Sequence, residues 1–308
     1  MKIAILHHDL EWTEQEFIKV FKDRGIEVKE FDIREPIDMQ NLKHYDIILN
    51  RVYASVANRD YHSNKQAIEF LEELENEGIT CLNSVRATKA DYYKHHAIRL
   101  QEEAGLLAPV TKIVSTYEEA LEIAQELEYP VIMKRNTGGR GLGVQKIDDE
   151  LELMEYFEDM IDYGGDYIIQ AYLYSTLTHD FRVTIINGEV VFAYTRELLS
   201  VKEGEEPWLA SVSRGSKRKI CEPPKEVLEI ALEGASAIDA FYDSIDIMIT
   251  QHGPVIVEHN PTPNYSKEPN EIGMSEKLVA IIVDKIIAYL NDKQETRATE
   301  DTTQLLYV

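Results

Sequence analysis

Three groups of residues in this sequence have the types and spacing to do chemistry on phosphates. The first lies in IDIMITQHGPVIVEHN, where two apolar runs flank a turn at Gln251, His252 and Gly253. Centred on His252, the hairpin pairs Thr250 with Pro254, Met248 with Ile256 and Asp246 with Glu258. Strand alternation then puts Glu258 and Asn260 on one face, with Asp246 opposite Glu258. Two carboxylates facing each other in apolar strands repel and lose hydration, a cost that a divalent cation would offset. Asp246, Glu258 and Asn260 all offer hard oxygen donors suited to Mg²⁺ and the phosphates it bridges. The same three residues could instead be strand ends standing in solvent.

The second group is Lys134, at the end of PVIMK, with the loop TGGRGLG (137–143) just beyond it. Gly138, Gly139, Gly141 and Gly143 permit positive φ and close backbone approach, so their N–H groups can surround phosphate oxygens. The lysine adds a point charge. The loop is neither a Walker A motif nor a dinucleotide fingerprint, and a glycine-rich hairpin turn would read alike. The third group is a set of cations on separate segments: Lys94, Arg182, Arg196 and Arg214. Asp180 and Arg182 share a strand face, which a surface ion pair would also explain.

These residues need a scaffold, and the apolar pattern supplies one. Over the first 80 residues, short apolar runs (3–6, 26–31, 46–52, 79–83) alternate with amphipathic stretches (13–24, 64–77). That alternation predicts a parallel sheet with helices on its faces. In open sheets, ligands sit beyond the carboxyl ends of the strands, where Asn50, Arg51 and Asn83 fall as candidate substrate contacts. A helical stretch (84–105) and a second α/β unit (strand 110–114, helix 117–128, strand 129–136) come next. A helix (149–161) and a strand (167–173) follow. Then 181–188 and 190–198 form a hairpin across Asn187-Gly188. Residues 200–219 read as a polar mobile loop, followed by a helix (224–240), the hairpin 245–260 and a last helix (273–291). The polar stretch after Lys293 reads as a disordered tail. The expected division is 1–84, 85–168 and 169–292, with the tail 293–308, in an α/β fold with α+β units.

Charge narrows the partners. The 32 Lys and Arg are outnumbered by 56 Asp and Glu, a net charge of −24. That balance argues against nucleic acid, whose binding draws on cations. A small nucleotide would have to be held where local cations and metal ions override this field. The chain has no run of about 18 apolar residues to span a membrane. Its apolar start is broken by His7, His8 and Asp9, too soon for a signal-peptide core. Cys81 and Cys221 lack metal or redox spacing, as expected for reduced thiols in a cytoplasmic protein.

Taken in chain order, eight segments resemble the ATP-grasp superfamily and, within it, the RimK-like amino-acid (alpha-L-glutamate) ligases. They are NSVRATKADYYK, EAGLLAPVT, PVIMK with GGRGLGV, IIQAYL, DFRVTIINGEVV, YTRE, SRG, and IDIMI with GPVIVEHNPTP. The resemblance covers about residues 1–292. It implies an ATP-grasp fold, an N-terminal parallel α/β subdomain plus two α+β subdomains that grip ATP. It implies that Lys94 and Lys134 bind phosphate, with Asp180 and Ser211 also on the ATP. The backbone of Gln170, Ala171, Tyr172 and Leu173 would meet the adenine edge. Asp246, Glu258 and Asn260 would hold Mg²⁺ or Mn²⁺, as two ions. Arg196 and Arg214 would lie near the γ-phosphate and the acceptor carboxylate, and Arg182 on the substrate side.

The activity implied is ATP-dependent ligation of a carboxylate acceptor to an amine, an amino acid such as glutamate. The carboxylate would take the γ-phosphate to give an acyl phosphate and ADP, and the amine would then displace phosphate. The glycine loop would close over the phosphates and keep water from the acyl phosphate. A nucleotide-binding regulatory protein without turnover and a small-molecule kinase are the alternatives. Homo-oligomers are common among such enzymes. The sequence departs from the family pattern at Ala171 (often Glu), at Ser211 (usually Asn) and at Asn260-Pro261-Thr262-Pro263-Asn264, where Asn-x-Ser-Pro-Gly is usual. The segment between Arg196 and Arg214 is also longer than in relatives. The ATP and metal residues are intact, so the departures fall on the acceptor side.

Overall fold

A computed structural model describes residues 1–160, 163–265 and 273–305, with side chains described through Lys293. Three sheets follow one another along the chain. The first is built from β1 (Lys2–His7), α1 (Trp12–Asp23), β2 (Glu27–Asp32), α2 (Met39–Leu42), β3 (Ile47–Asn50), α3 (Tyr61–Asn76) and β4 (Cys81–Leu82). Its strands run parallel in the order β2-β1-β3-β4, as the alternation predicted. Ile3, Ala4, Ile5 and Leu6 are all buried because both faces of the sheet are covered. Ile3 and Ile5 share a core with Phe17 and Phe21, while Ala4 and Leu6 share another with Ala67 and Leu71. Each such large apolar side chain contributes about 1.5–3 kcal/mol.

The helical stretch after the first sheet is two helices, not one: α4 (Val85–Tyr92), capped by the Ser84 side chain, and α5 (Lys94–Glu103). Tyr93 breaks them with extended dihedrals, which brings Lys94 to a helix start. The second sheet collects β5 (Thr111–Val114), α6 (Tyr117–Leu127), β6 (Val131–Arg135), β7 (Gln145–Ile147), α7 (Glu150–Asp159) and β8 (Tyr167–Ala171). It is antiparallel, in the order β5-β8-β6-β7.

The third sheet holds β9 (His179–Ile186), β10 (Glu189–Glu197), β11 (Arg218–Ile220), α8 (Lys225–Ala237), β12 (Tyr242–Thr250) and β13 (Gly253–Glu258). Its order is β11-β10-β9-β12-β13, all antiparallel. The β9–β10 turn is Asn187-Gly188, both at positive φ, as a tight hairpin requires. One face of this sheet, including Val183, Ile185, Ile245 and Ile247, packs with Val227 and Ala231 of α8. The other face is left for polar residues.

The last helix, α9 (Ser275–Leu305), runs well past the expected end at 291 and takes in most of the stretch expected to be a disordered tail. That stretch has no Gly or Pro before Leu305 and is rich in good helix formers. Residues 200–219 also differ from expectation. Leu199 and Leu209 pair as an antiparallel bridge, closing a compact hairpin within the stretch read as a polar loop.

Candidate active site

The open face of the third sheet carries the charged residues in rows, because strand side chains alternate. Arg196 stands opposite Asp180, and in the next row Tyr194, Arg182, Asp246 and Glu258 lie side by side across β10, β9, β12 and β13. Arg182 holds Asp246 with two hydrogen bonds, Nε to Oδ1 at 2.5 Å and Nη2 to Oδ2 at 2.7 Å. Arg196 meets Asp246 at 2.8 Å and donates Nε to Asp180 Oδ1 at 3.0 Å. Two arginines thus neutralise two buried aspartates. Burial disfavours the charge of Asp246, but Arg182 and Arg196 outweigh it and hold the carboxyl below its usual range. For Asp180, burial wins and its pKa rises despite Arg196.

The expected β12–β13 register is corrected near the site. Thr250 pairs with Gly253, Met248 with Val255 and Ile247 with Ile256, one residue off the symmetrical hairpin. A bulge between Asp246 and Ile247 then restores Asp246 opposite Glu258. The bulge has a purpose. Ile256 belongs to the core under α8, and an unbroken strand would send Glu258 to that same face. The extra residue, Val257, turns Glu258 to the polar side. Asn260, just beyond, is fixed by its Nδ2 donating to the Ser244 carbonyl and its amide donating to Asp243.

The lysines approach from the second sheet and from α5. Lys134 is 7% exposed on β6, and its pKa is lowered to about 8. Burial is the main cause, aided by Lys94 and opposed by Glu258. Lys94 Nζ donates to the Gly138 carbonyl at 2.8 Å and lies 3.7 Å from Glu258. Gly138, Gly141 and Gly143 adopt positive φ. A side chain at Gly138 would collide with Asn58, whose amide donates to the Gly139 carbonyl. The glycine loop is therefore seated against the turn 54–58 of the first sheet's unit.

Two cavities meet at this seam. The smaller, of about 310 Å³, has apolar walls from Ile132, Leu198, Trp208, Met248 and Val257, and a charged end at Lys134, Asp180, Arg196 and Asp246. Gln170, Ala171, Tyr172 and Leu173 form one edge of it. The Gln170 side chain is turned away to Thr111, and the Ala171 amide is taken by the Val110 carbonyl. The backbone of Leu173 has no such partner among the described residues. The larger cavity, of about 620 Å³, includes Glu11, Tyr53, Asp91, Tyr194, Arg218 and Asn264. Lys94, Gly138, Arg140, Arg182, Glu258 and Asn260 line both.

The structure brings together most of the residues singled out from sequence, including Gly139, Gly141 and Ser211 on the smaller cavity. It does not bring together five others. Arg214 is exposed and lines neither cavity, whereas Arg218, paired with Arg196 on the neighbouring strand, lines the larger one. Gly143 lies behind the loop, its carbonyl accepting from Tyr156. Asn50, Arg51 and Asn83, expected as substrate contacts, are buried framework. Asn50 bonds Thr88 and Tyr92, and Arg51 is held by Glu14 and the Pro263 carbonyl. Asn83 ties the backbone of Phe241, Tyr242 and Pro261. They sit at strand ends as expected, but the third sheet's loops cover those ends. Trp208, Arg218, Glu11 and Asp91 were not anticipated: the first three lie in segments without a motif, and Asp91 stands inside NSVRATKADYYK, where Lys94 alone was singled out.

The donor chemistry fits a nucleotide and a hard cation. Among the described residues, no group of three or more His, Cys, Asp or Glu converges as a metal site. Two carboxylates and an amide at the seam instead suit Mg²⁺, which completes its shell with water and phosphate oxygens.

Residues 90–286 match the RimK-like ATP-grasp domain. The chain is 22% identical over 277 residues to a probable alpha-L-glutamate ligase of Methanococcoides burtonii, covering 85% of this chain and 88% of that one. A RimK domain ATP-grasp protein of Sphaerobacter thermophilus superposes with a TM-score of 0.68 at 16% identity, over 93% of this chain and 100% of that one. D-alanine–D-alanine ligase of Bacillus anthracis superposes with a TM-score of 0.66 at 16% identity, over 98% and 99%. The three sheets and the cleft between the second and third are therefore those of an ATP-grasp enzyme. The chain belongs to the RimK-like ATP-grasp family, whose members are ligases that use ATP and Mg²⁺.

Proposed function

We propose that this ligase joins an amino acid to a carboxylate acceptor through an acyl phosphate, releasing ADP and phosphate. The observation that carries the reading is the meeting of two cavities at Lys94, Arg182, Glu258 and Asn260. An apolar slot with a cationic end suits a base and its phosphates, and the roomier polar chamber suits the acceptor and the amine. Adenine would lie against the Leu173 backbone and the apolar walls. Lys94, Lys134, Arg182 and Arg196 would take the phosphate charge, which phosphoryl transfer requires more than any nucleophilic side chain.

Asp246, Glu258 and Asn260 would hold Mg²⁺, as two ions, which supply charge neutralisation and orientation of the phosphates. Asp246 is now satisfied by two arginines, so metal binding there would release guanidinium groups toward phosphate. The larger cavity would admit the acceptor carboxylate close to the seam, and the glycine loop held by Asn58 and Lys94 would shield the acyl phosphate from water. Glutamate is the proposed amino acid, in keeping with relatives named as probable alpha-L-glutamate ligases and with Arg140 and Arg218 on the larger cavity. A cytoplasmic homo-oligomer is the proposed setting.

The test is a screen of amino acids and carboxylate acceptors for ADP release, with mass identification of the product. Turnover should require both a carboxylate and an amine, and hydroxylamine should trap a hydroxamate of the acceptor. AMP and pyrophosphate as products would overturn the mechanism. A stable phosphorylated product formed without amine would mark a kinase, and tight ATP binding without turnover a regulatory protein.

A further inference from the structure

The hairpin after β10 belongs to the third sheet, yet it is fastened to the second. Its apolar side faces the smaller cavity through Leu198, Trp208 and Leu209, with Trp208 8% exposed. Its polar side reaches across the cleft to β7 and α7. Lys146 Nζ donates to Glu205 Oε1 at 2.7 Å, and Lys202 pairs with Glu152 and Asp148. These bridges are unequal. Lys202 and Glu152 keep 40% and 25% of their side-chain surface in water, where ion pairs contribute little. Lys146 and Glu205 keep 13% and 7%.

Glu205 also organises its own hairpin. Oε2 accepts from the amides of Val201 and Lys202. Trp208 follows Glu205 by three residues, and its Nε1 is buried without a hydrogen-bond partner among the described residues. Burial opposes the charge of Glu205, but hydrogen bonds led by Lys146 outweigh it and hold the carboxyl below its usual range. Lys146 in turn sits 5.6 Å from the ring centroid of Tyr172, on the edge of the same cavity. One carboxylate therefore fastens the hairpin that carries Trp208 to a lysine of the opposite sheet.

We propose that residues 198–211 are a lid over the smaller cavity, with Trp208 forming a face of the base site and Glu205 latching the lid to Lys146. This rests on the reading of that cavity as the nucleotide site. An indole face suits a planar base by stacking. A base seated there cannot leave between the sheets until the latch opens, so Glu205 is a positioning residue that sets nucleotide residence. A pair this buried is screened little by salt, so the latch is tested by substitution.

The chain has two tryptophans, Trp12 and Trp208. Trp12→Phe in the full chain leaves Trp208 as the reporter. Mg²⁺ and ADP are expected to change its emission, and a stopped-flow chase gives the release rate. Glu205→Gln and Lys146→Gln are each expected to speed release about tenfold, equivalent to about 1.4 kcal/mol. The double variant is expected to be no faster than either single one, the mark of a direct coupling. Rising ionic strength weakens the phosphate contacts of parent and variants alike, so release rates are compared at one salt concentration. Lys146→Gln leaves the hairpin's own hydrogen bonds to Glu205 in place and decides the matter if Glu205→Gln fails to fold. ADP binding measured by dialysis with unchanged emission, or with a release rate indifferent to both Glu205 and Lys146, overturns the lid. No ADP binding to the parent overturns the nucleotide reading itself.

Discussion

The smaller cavity takes most of its walls from strands, one hairpin and the glycine loop, whereas the larger gathers side chains from Glu11 to Leu278. The first is mainly apolar with cations at one end, and its charged residues stand in rows dictated by strand pairing. The second is assembled from loops and helix ends of separate units, including Tyr53, Asp91, Arg218 and Asn264. A sheet can only position what its period allows, so the smaller cavity is the more tightly specified of the two. Loop-borne walls can change one residue at a time without disturbing a ladder, and the larger cavity is the one free to vary in this way.

The comparison can be broken most forcefully at Asp246. Asp246→Asn removes the charge that Arg182 and Arg196 share, and uncompensated buried cations should destabilise the fold by about 3–5 kcal/mol in urea unfolding. Loss of stability below about 1 kcal/mol would mean the arginines find other partners. Glu258→Gln should lower turnover about 10²–10³-fold while changing ADP affinity far less, read by ADP release and calorimetry. An equal fall in affinity would place Glu258 in ground-state binding and on the smaller cavity alone.

A third variant addresses the charge of the larger cavity. Asp91 is pushed up from 3.8 to about 7, chiefly by burial, with Thr262 and Lys94 opposing. A carboxyl with a raised folded pKa holds its proton more tightly when folded. Its contribution is therefore full below the unfolded pKa and is lost as pH climbs to about 7. Asp91→Asn should flatten stability over that window and add about 1–3 kcal/mol at pH 8, measured by denaturation at several pH values. An unchanged pH profile would show that Asp91 titrates normally. The smallest effect is expected for Tyr194→Ala, which should raise the acceptor KM about fivefold, or about 1 kcal/mol, and leave ADP affinity unchanged. A change in ADP affinity instead would erase the division between the cavities.

Strand-borne residues were the legible part of the site. The shared face of Asp180 and Arg182 and the place of Asp246 opposite Glu258 follow from strand alternation, and Lys134 from the end of a buried strand. Arg196 was one cation among several and took its role from the resemblance. The register of β12 and β13 was not legible, because Val257 looks like any strand residue. Only the need to bury Ile256 and expose Glu258 creates the bulge. Asn50, Arg51 and Asn83 show the limit of the strand-end rule. Those ends face another part of the same chain, so their polar groups bond Tyr92, Pro263 and Tyr242 in place of a ligand. The hairpin 198–211 is polar in sequence because its outer side makes ion pairs. Its large apolar contributions to the cavity, Leu198 and the adjacent Trp208 and Leu209, are too few and too unevenly spaced to form a pattern.

The helix α9 lies against α1, with Val279, Ile282, Val283 and Ile286 in the same core as Ile3, Ile5, Phe17 and Phe21. On the ribosome, the first strand therefore emerges long before the residues that cover one of its faces. Until residues 279–290 leave the exit tunnel, the nascent parallel sheet carries a bare apolar surface, a natural hold for a chaperone. Of the three sheets, the one that emerges first is completed last.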